Sequence, residues 1–411
     1  MNGSARRLPA YALFAALLAA AGLPIYIHAP KFYVDEYGVS LGALGSVLFG
    51  LRLLDVVQDP ALGWLSHRLR AQRGAAVAGA AAVMALAMLG LFAVPAPMLP
   101  VLWFALMLTL VFSCFSFLTI CFYAQGVAKA DALPGAGHLM LARWRETGAL
   151  LGVCAASVAP LLIGLVYARP FAGFAVSFAL LALAAVLAMR REWESRGLPT
   201  AGGFGVVLRD APARGLLLIA LVNAAPVAVT STLFLFYVEL VLDAPGWEGP
   251  LLLLFFLSAA GAAPLWGMLA ERHGPRQILL AAMTLGIVTF AGALLLGAGD
   301  VALFGLVCLA SGAVLGADLT LLPAMFATRM AQIAPSAAEG FGLWSFVSKL
   351  TLAFAAIVLL PALESAGLHS AGGNSNPKAI TLLIWFYAGV PCALKLLAIA
   401  LLARAKHLER S

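Results

Sequence analysis

Long apolar stretches separated by short polar breaks set the pattern of this chain. A membrane-spanning helix needs about 20 mostly apolar residues. Twelve segments meet that description, at roughly 9–30, 40–66, 74–94, 98–124, 138–167, 170–189, 214–240, 247–270, 277–297, 300–327, 339–364 and 378–403. The breaks are short except at 190–213, where Arg190, Arg191, Glu192, Glu194, Arg196, Pro199 and Gly202, Gly203 and Gly205 gather. The pattern predicts an all-α polytopic membrane protein of twelve transmembrane helices in two six-helix bundles. Residues 1–189 form the N-terminal bundle, 190–213 a cytoplasmic linker and 214–411 the C-terminal bundle.

Composition agrees. Only 10% of the 411 residues are charged and 63% are hydrophobic, against about 25% charged in soluble proteins. The first apolar run, from Pro9, lacks a convincing signal-peptide cleavage site and reads as a retained span. Basic residues are unevenly placed. Arg6, Arg7, Arg68, Arg70, Arg73, Lys129, the linker arginines, Arg272, Arg276, Arg329, Arg404, Lys406 and Arg410 fall on the side of both termini, whereas Lys31, Arg169 and Lys378 fall opposite. Basic loops stay cytoplasmic, so both termini are expected there, in a multi-pass protein of the cell inner membrane. The net charge of +7 reflects this bias and does not point to nucleic acid. The five cysteines lie inside apolar runs without metal-ligand spacing. The Gly-rich run Ala201–Gly205 lacks the Lys-Ser/Thr of a phosphate-binding loop. No nucleophile–His pair stands in the spans. An ATP-driven pump and an enzyme are therefore disfavoured, and no cofactor is expected beyond a coupling ion.

Chemistry concentrates in the second span. In Arg52-Leu-Leu-Asp55-Val-Val-Gln58-Asp59-Pro60 two carboxylates stand four residues apart, on one face of a helix. Arg52 shares that face and Gln58 lies beside it. Ionisable groups in a span are costly, so they usually face a polar cavity and mark an ion or substrate path. The chain also repeats. Pro60-Ala-Leu-Gly63-Trp-Leu65-Ser-His-Arg68 matches Pro264-Leu-Trp-Gly267-Met-Leu269-Ala-Glu-Arg272 at a shift of 204 residues. At that shift Asp55 and Asp59 correspond to Ala259 and Ala263. Only the first half carries the acids, an asymmetry that helix packing alone does not require.

These residues resemble the major facilitator superfamily, whose cytoplasmic loop signature is similar to Gly267-Met-Leu-Ala-Glu-Arg-His-Gly274-Pro-Arg276. More narrowly, the chain resembles the glycoside–pentoside–hexuronide:cation symporters, the melibiose-carrier family. The stretches that carry this are Phe32–Ser40, Arg52–Trp64, Arg143-Trp-Arg145-Glu146 and Gly340–Leu350 with its intramembrane Lys349. The resemblance implies a cation site at Asp55 and Asp59, with Gln58 in place of the family's asparagine and Ser116 completing it. It also implies a substrate cavity near Arg145 and Lys349, with Tyr123 as an aromatic platform. The family's sugar-holding aspartates fall on Ala19 and Thr119, which argues against galactosides.

The expected function is a symporter coupled to Na⁺ or H⁺ and working by alternating access. Oxygen ligands favour Na⁺ slightly, although two close carboxylates also share a proton. The cargo, expected near Thr119, Tyr123, Arg145, Trp344 and Lys349, is a small anionic solute such as a hexuronide, or an amphiphile. Arg52 and Asp318 are expected in a supporting charge network, Asp318 either pairing with Lys349 or lining the cavity. The expected partners are the solute, the cation and the bilayer, around a monomer. The alternatives are a proton-coupled exporter of apolar compounds and a lysolipid transporter.

Overall fold

The structure, a computed structural model, describes residues 7–131, 133, 137–193, 204–333, 338–366 and 377–405. Every regular element among them is helical. The helices are α1 (Leu8–Ala20), α2 (Leu23–Tyr37), α3 (Leu41–Arg68), α4 (Arg73–Phe92), α5 (Pro100–Asp131), α6 (Gly137–Gly164), α7 (Pro170–Met189), α8 (Phe204–Arg209), α9 (Ala211–Phe236), α10 (Glu248–His273), α11 (Pro275–Ala291), α12 (Val301–Ile333), α13 (Ala338–Ser365), α14 (Pro377–Ile384) and α15 (Val390–Arg404). Each of the twelve expected spans coincides with one helix or with a joined pair. Nine segments among the described residues are long and apolar enough to cross a membrane. The 28-residue helices α3 and α13 coincide with the expected spans that carry Asp55, Asp59 and Lys349.

The first expected span, 9–30, is broken in the structure. α1 stops at Ala20 and α2 begins at Leu23, with Gly22 at φ −89° and ψ −119°. Pro24 explains the break: it lacks the N–H that would bond to the Ala20 carbonyl, and it stands in the first turn of α2, where that loss is tolerated. The twelfth span is also interrupted, by a π-helical turn at Trp385–Gly389 just before Pro391. A second π turn, Tyr237–Val241, ends α9. The rings of Tyr237 and Tyr387 stack there with centroids 4.1 Å apart.

The chain divides into two compact units. Unit 1 comprises Met1–Asp210 and Ala327–Phe346, and unit 2 comprises Ala211–Phe326 and Val347–Ser411. The core of unit 1 is built on Tyr11, Phe14, Phe104 and Phe122. Its α1 and α6 meet through small residues: a Cβ on Gly148 would come within 2.2 Å of the Ala12 carbonyl oxygen, and one on Gly152 within 2.5 Å of that of Ala16. Such small-residue contacts let helix backbones approach where the surrounding lipid gives no hydrophobic drive between helices. The linker stretch between the expected bundles contains the short α8, and residues 194–203 lie outside those described. Glu192, just before them, accepts from Arg7 at 2.9 Å and pairs with Lys129 at 2.8 Å. Asp210 pairs with Arg329. Unit 2 gathers its core around Leu233, Tyr237, Phe304 and Tyr387.

Candidate functional site

Asp55 and Asp59 lie one turn apart on α3, 3% and 0% exposed. Neutral polar side chains bond to both acids. Gln58 Nε2 donates to Asp55 Oδ1 at 2.9 Å. Ser113 of α5 donates to the Gln58 amide oxygen at 2.9 Å. Ser345 of α13 donates to Asp59 Oδ2 at 2.6 Å. Ser116, expected in this site, is fully buried on α5 one turn from Ser113. Arg52 lies on the same helix as the acids, but its side chain is outside those described. Two hydroxyl donors, Ser113 and Ser345, are residues that sequence reasoning did not pick out. Ser113 was legible as the i−3 neighbour of Ser116; Ser345 is 286 residues from Asp59 and had no local signal.

Ser345 reaches Asp59 because α3 and α13 cross closely. A Cβ on Gly342 would stand 3.2 Å from the Asp59 carbonyl oxygen and 3.2 Å from Gly63 Cα. One turn beyond Gly63, His67 Nδ1 lies 3.3 Å from Glu339 Oε1. The repeat places Ala259 and Ala263 at the corresponding positions of α10. Both are buried, and they face glycine rather than hydroxyls. A Cβ on Gly316 of α12 would lie 2.7 Å from the Ala259 oxygen, and one on Gly312 2.2 Å from the Phe255 oxygen. The second copy is thus a tight backbone contact at alanine positions. The first copy carries carboxylates there, each bonded by a neutral donor.

The expected substrate residues divide between the units. Thr119, Tyr123, Arg145 and Trp344 belong to unit 1 and Lys349 to unit 2. Thr119 and Tyr123 continue along α5 from Ser113 and Ser116 at helical spacing, forming one polar stripe. At its end the Arg145 guanidinium lies over the Tyr123 ring, 3.9 Å from the centroid. Arg145 Nε donates to Glu146 at 2.6 Å, and the Tyr123 hydroxyl donates to the same carboxylate oxygen at 3.2 Å. Glu146 therefore balances the Arg145 charge. The Thr119 hydroxyl oxygen and Arg145 Nη2 are both buried without a hydrogen-bond partner among the described residues. Phe341 of α13 packs on Tyr123 at 5.0 Å between centroids. Trp344 and Lys349 are each partly buried on α13.

Asp318 departs from expectation in its partner. It lies on α12 in unit 2 and pairs with Lys395 of α15, not Lys349. Lys395 also donates to Asn223 of α9 at 2.7 Å. Asp318 and Lys395 both line a cavity in that unit, whose lining includes none of the expected substrate residues.

Comparison with known proteins follows this geometry. A family model described as MFS/sugar transport protein matches residues 9–407. No curated protein matches significantly. Two crystal structures of a bacterial homologue of the iron transporter ferroportin in the outward-facing state share the fold. The first is 15% identical with a TM-score of 0.70, covering 97% of this chain and 98% of that one. The second, with soaked iron, is 16% identical with a TM-score of 0.71, covering 98% and 99%. At such identity the likeness concerns the fold alone. With the family match spanning nearly the whole chain, and twelve helical spans beneath it, this protein belongs to the MFS/sugar transport family, a multi-pass membrane transporter whose melibiose-carrier-like motifs agree with that placement.

Proposed function

We propose that this transporter is a cation-coupled symporter whose cation binds at Asp55 and Asp59. The observation that carries the reading is the pair itself: two fully buried carboxylates one turn apart, each holding a hydrogen bond from a neutral donor, Gln58 or Ser345. Burying such groups is costly, and the repeat shows that the scaffold can be built with alanine there. Gln58 presents its N–H rather than its oxygen to Asp55. A Na⁺ ion would require that amide to turn, whereas a proton would not, so the hydrogen bonds tilt the choice toward H⁺ over the oxygen-ligand argument for Na⁺.

The cargo is a small solute carrying an acceptor oxygen, such as an organic anion. It lies along the α5 stripe, with its polar group on Arg145 Nη2 and the Thr119 hydroxyl, both buried and without a partner among the described residues. Trp344 supplies a further contact. The membrane is the cell inner membrane, with both termini cytoplasmic. The test is counterflow and gradient-driven uptake in proteoliposomes across a panel of organic anions and sugars, under a Na⁺ gradient or a pH gradient alone. Accumulation that follows one gradient and vanishes in Asp59→Asn supports the reading. Uptake indifferent to both gradients would reject it.

A further inference from the structure

We propose that unit 2 holds a second ligand site, beside Lys395 and Asp318, that takes the hydroxyl group of a small neutral molecule. It does not depend on the cation site of unit 1. Lys395 and Asp318 are each only 8% exposed and are paired with one another. An ammonium donates three hydrogen bonds. Two of those of Lys395 are used, by Asn223 and by Asp318 Oδ2. The other carboxylate oxygen, Asp318 Oδ1, is buried and accepts none from the described residues. The pair thus offers one free donor next to one free acceptor. A hydroxyl group matches both, donating to Oδ1 and accepting from Nζ.

The pair lines a cavity of about 80 Å³ measured to water centres. One water needs roughly 10–15 Å³ on that measure, so the space suits a molecule of a few heavy atoms. Its other polar atoms are acceptors only. Thr230 and Ser311 line it, and their hydroxyl protons go to the Val227 and Val307 carbonyls, at 3.1 and 2.6 Å. The rest of the wall is largely apolar, including Phe255 and Val314. Charge selects against ions. The pair is already balanced, so an added carboxylate or ammonium would lose hydration without gaining an unmatched opposite charge, which is costly. Neutrality, one hydroxyl and an apolar body define the ligand class: a short alcohol, or the hydroxyl head of a neutral lipid.

Cys392 also lines the cavity and reports on it. The full chain in nanodiscs is treated with N-ethylmaleimide, and alkylation of Cys392 is followed by peptide mass spectrometry. The competitors are 1-butanol, butyl methyl ether, butyrate and butylammonium. Thr230→Cys, on α9, provides a second reporter. The site predicts that 1-butanol slows alkylation at least about threefold, while the ether, which cannot donate, and both ions do not. In Asp318→Leu/Lys395→Met, an apolar replacement of the kind buried ion pairs often tolerate, the alcohol and the ether should protect equally. Nanodiscs with and without monoacylglycerol separate the two sources: protection by the lipid assigns a lipid hydroxyl, and protection by butanol alone assigns a free solute. Equal protection by butanol and ether in the native chain, protection by either ion, no protection at all (water only), or two thiols that never react would each overturn the proposal.

Discussion

At the scale of single residues, the question is what each buried polar atom does with its hydrogen bonds. Ser345 gives its proton to Asp59, and a cation arriving at that oxygen must displace it. A hydrogen bond to a charged group contributes about 1.5–3 kcal/mol, and 1.4 kcal/mol is about tenfold in affinity. Ser345→Ala is therefore expected to lower the half-saturating cation concentration for uptake about tenfold, read from cation titrations in proteoliposomes. An unchanged midpoint would mean that this hydroxyl does not touch the coupling site. Arg145 poses a different question, because Glu146 already balances its charge. Its remaining assets are a planar fork and a stacked face, which lysine lacks. Arg145→Lys should raise the substrate concentration for half-maximal uptake about tenfold and leave the cation midpoint in place. A shift in the cation midpoint instead would assign Arg145 to the coupling network.

Helices were the most legible part of the sequence, since a run of some twenty apolar residues has few other uses. The breaks within them were not all legible. Pro24 was visible as a kink-former, but whether a proline bends a helix or ends it depends on whether neighbours re-satisfy the freed carbonyls, and that is a tertiary matter. The same holds for the π turns at Tyr237–Val241 and Trp385–Gly389. In the candidate site, the acids and Gln58 were readable from local spacing, and Ser116, Thr119 and Tyr123 only through the family resemblance. The Ser345 donor, the Glu146–Tyr123 bond and the Lys395 partner of Asp318 were not, because each depends on which helices lie side by side. The helix contacts make their own prediction. With Ala12 backbone 2.2 Å from a hypothetical Cβ at Gly148, Gly148→Leu should prevent α1 and α6 from closing. The expected result is loss of a monodisperse peak on size-exclusion chromatography. Gly205→Leu, where nothing lies within 4 Å, should elute as the parent does. Normal elution of Gly148→Leu would show that α1 and α6 do not pack as described.

For the whole molecule, topology and energetics are the testable properties. The distribution of Lys and Arg predicts that reporters fused at residue 200 or at the C-terminus report a cytoplasmic location. A periplasmic signal from either would overturn the orientation and the twelve-span count together. A further property follows from the inequality of the two copies of the repeat. One copy keeps two carboxylates; the other fills the same positions with Ala259 and Ala263 against the glycines of α12. A cycle built on one such site moves one monovalent cation per turnover. If that cation travels with a monoanion, the loaded carrier moves no net charge. Membrane voltage, worth about 2.3 kcal/mol per elementary charge at 100 mV, then does no work on the loaded step. Uptake should follow the chemical gradient of the cation and ignore a potassium diffusion potential clamped with valinomycin. A rate that climbs with inside-negative voltage would instead reveal a second charge in transit, and with it either a neutral cargo or a cation site beyond Asp55 and Asp59.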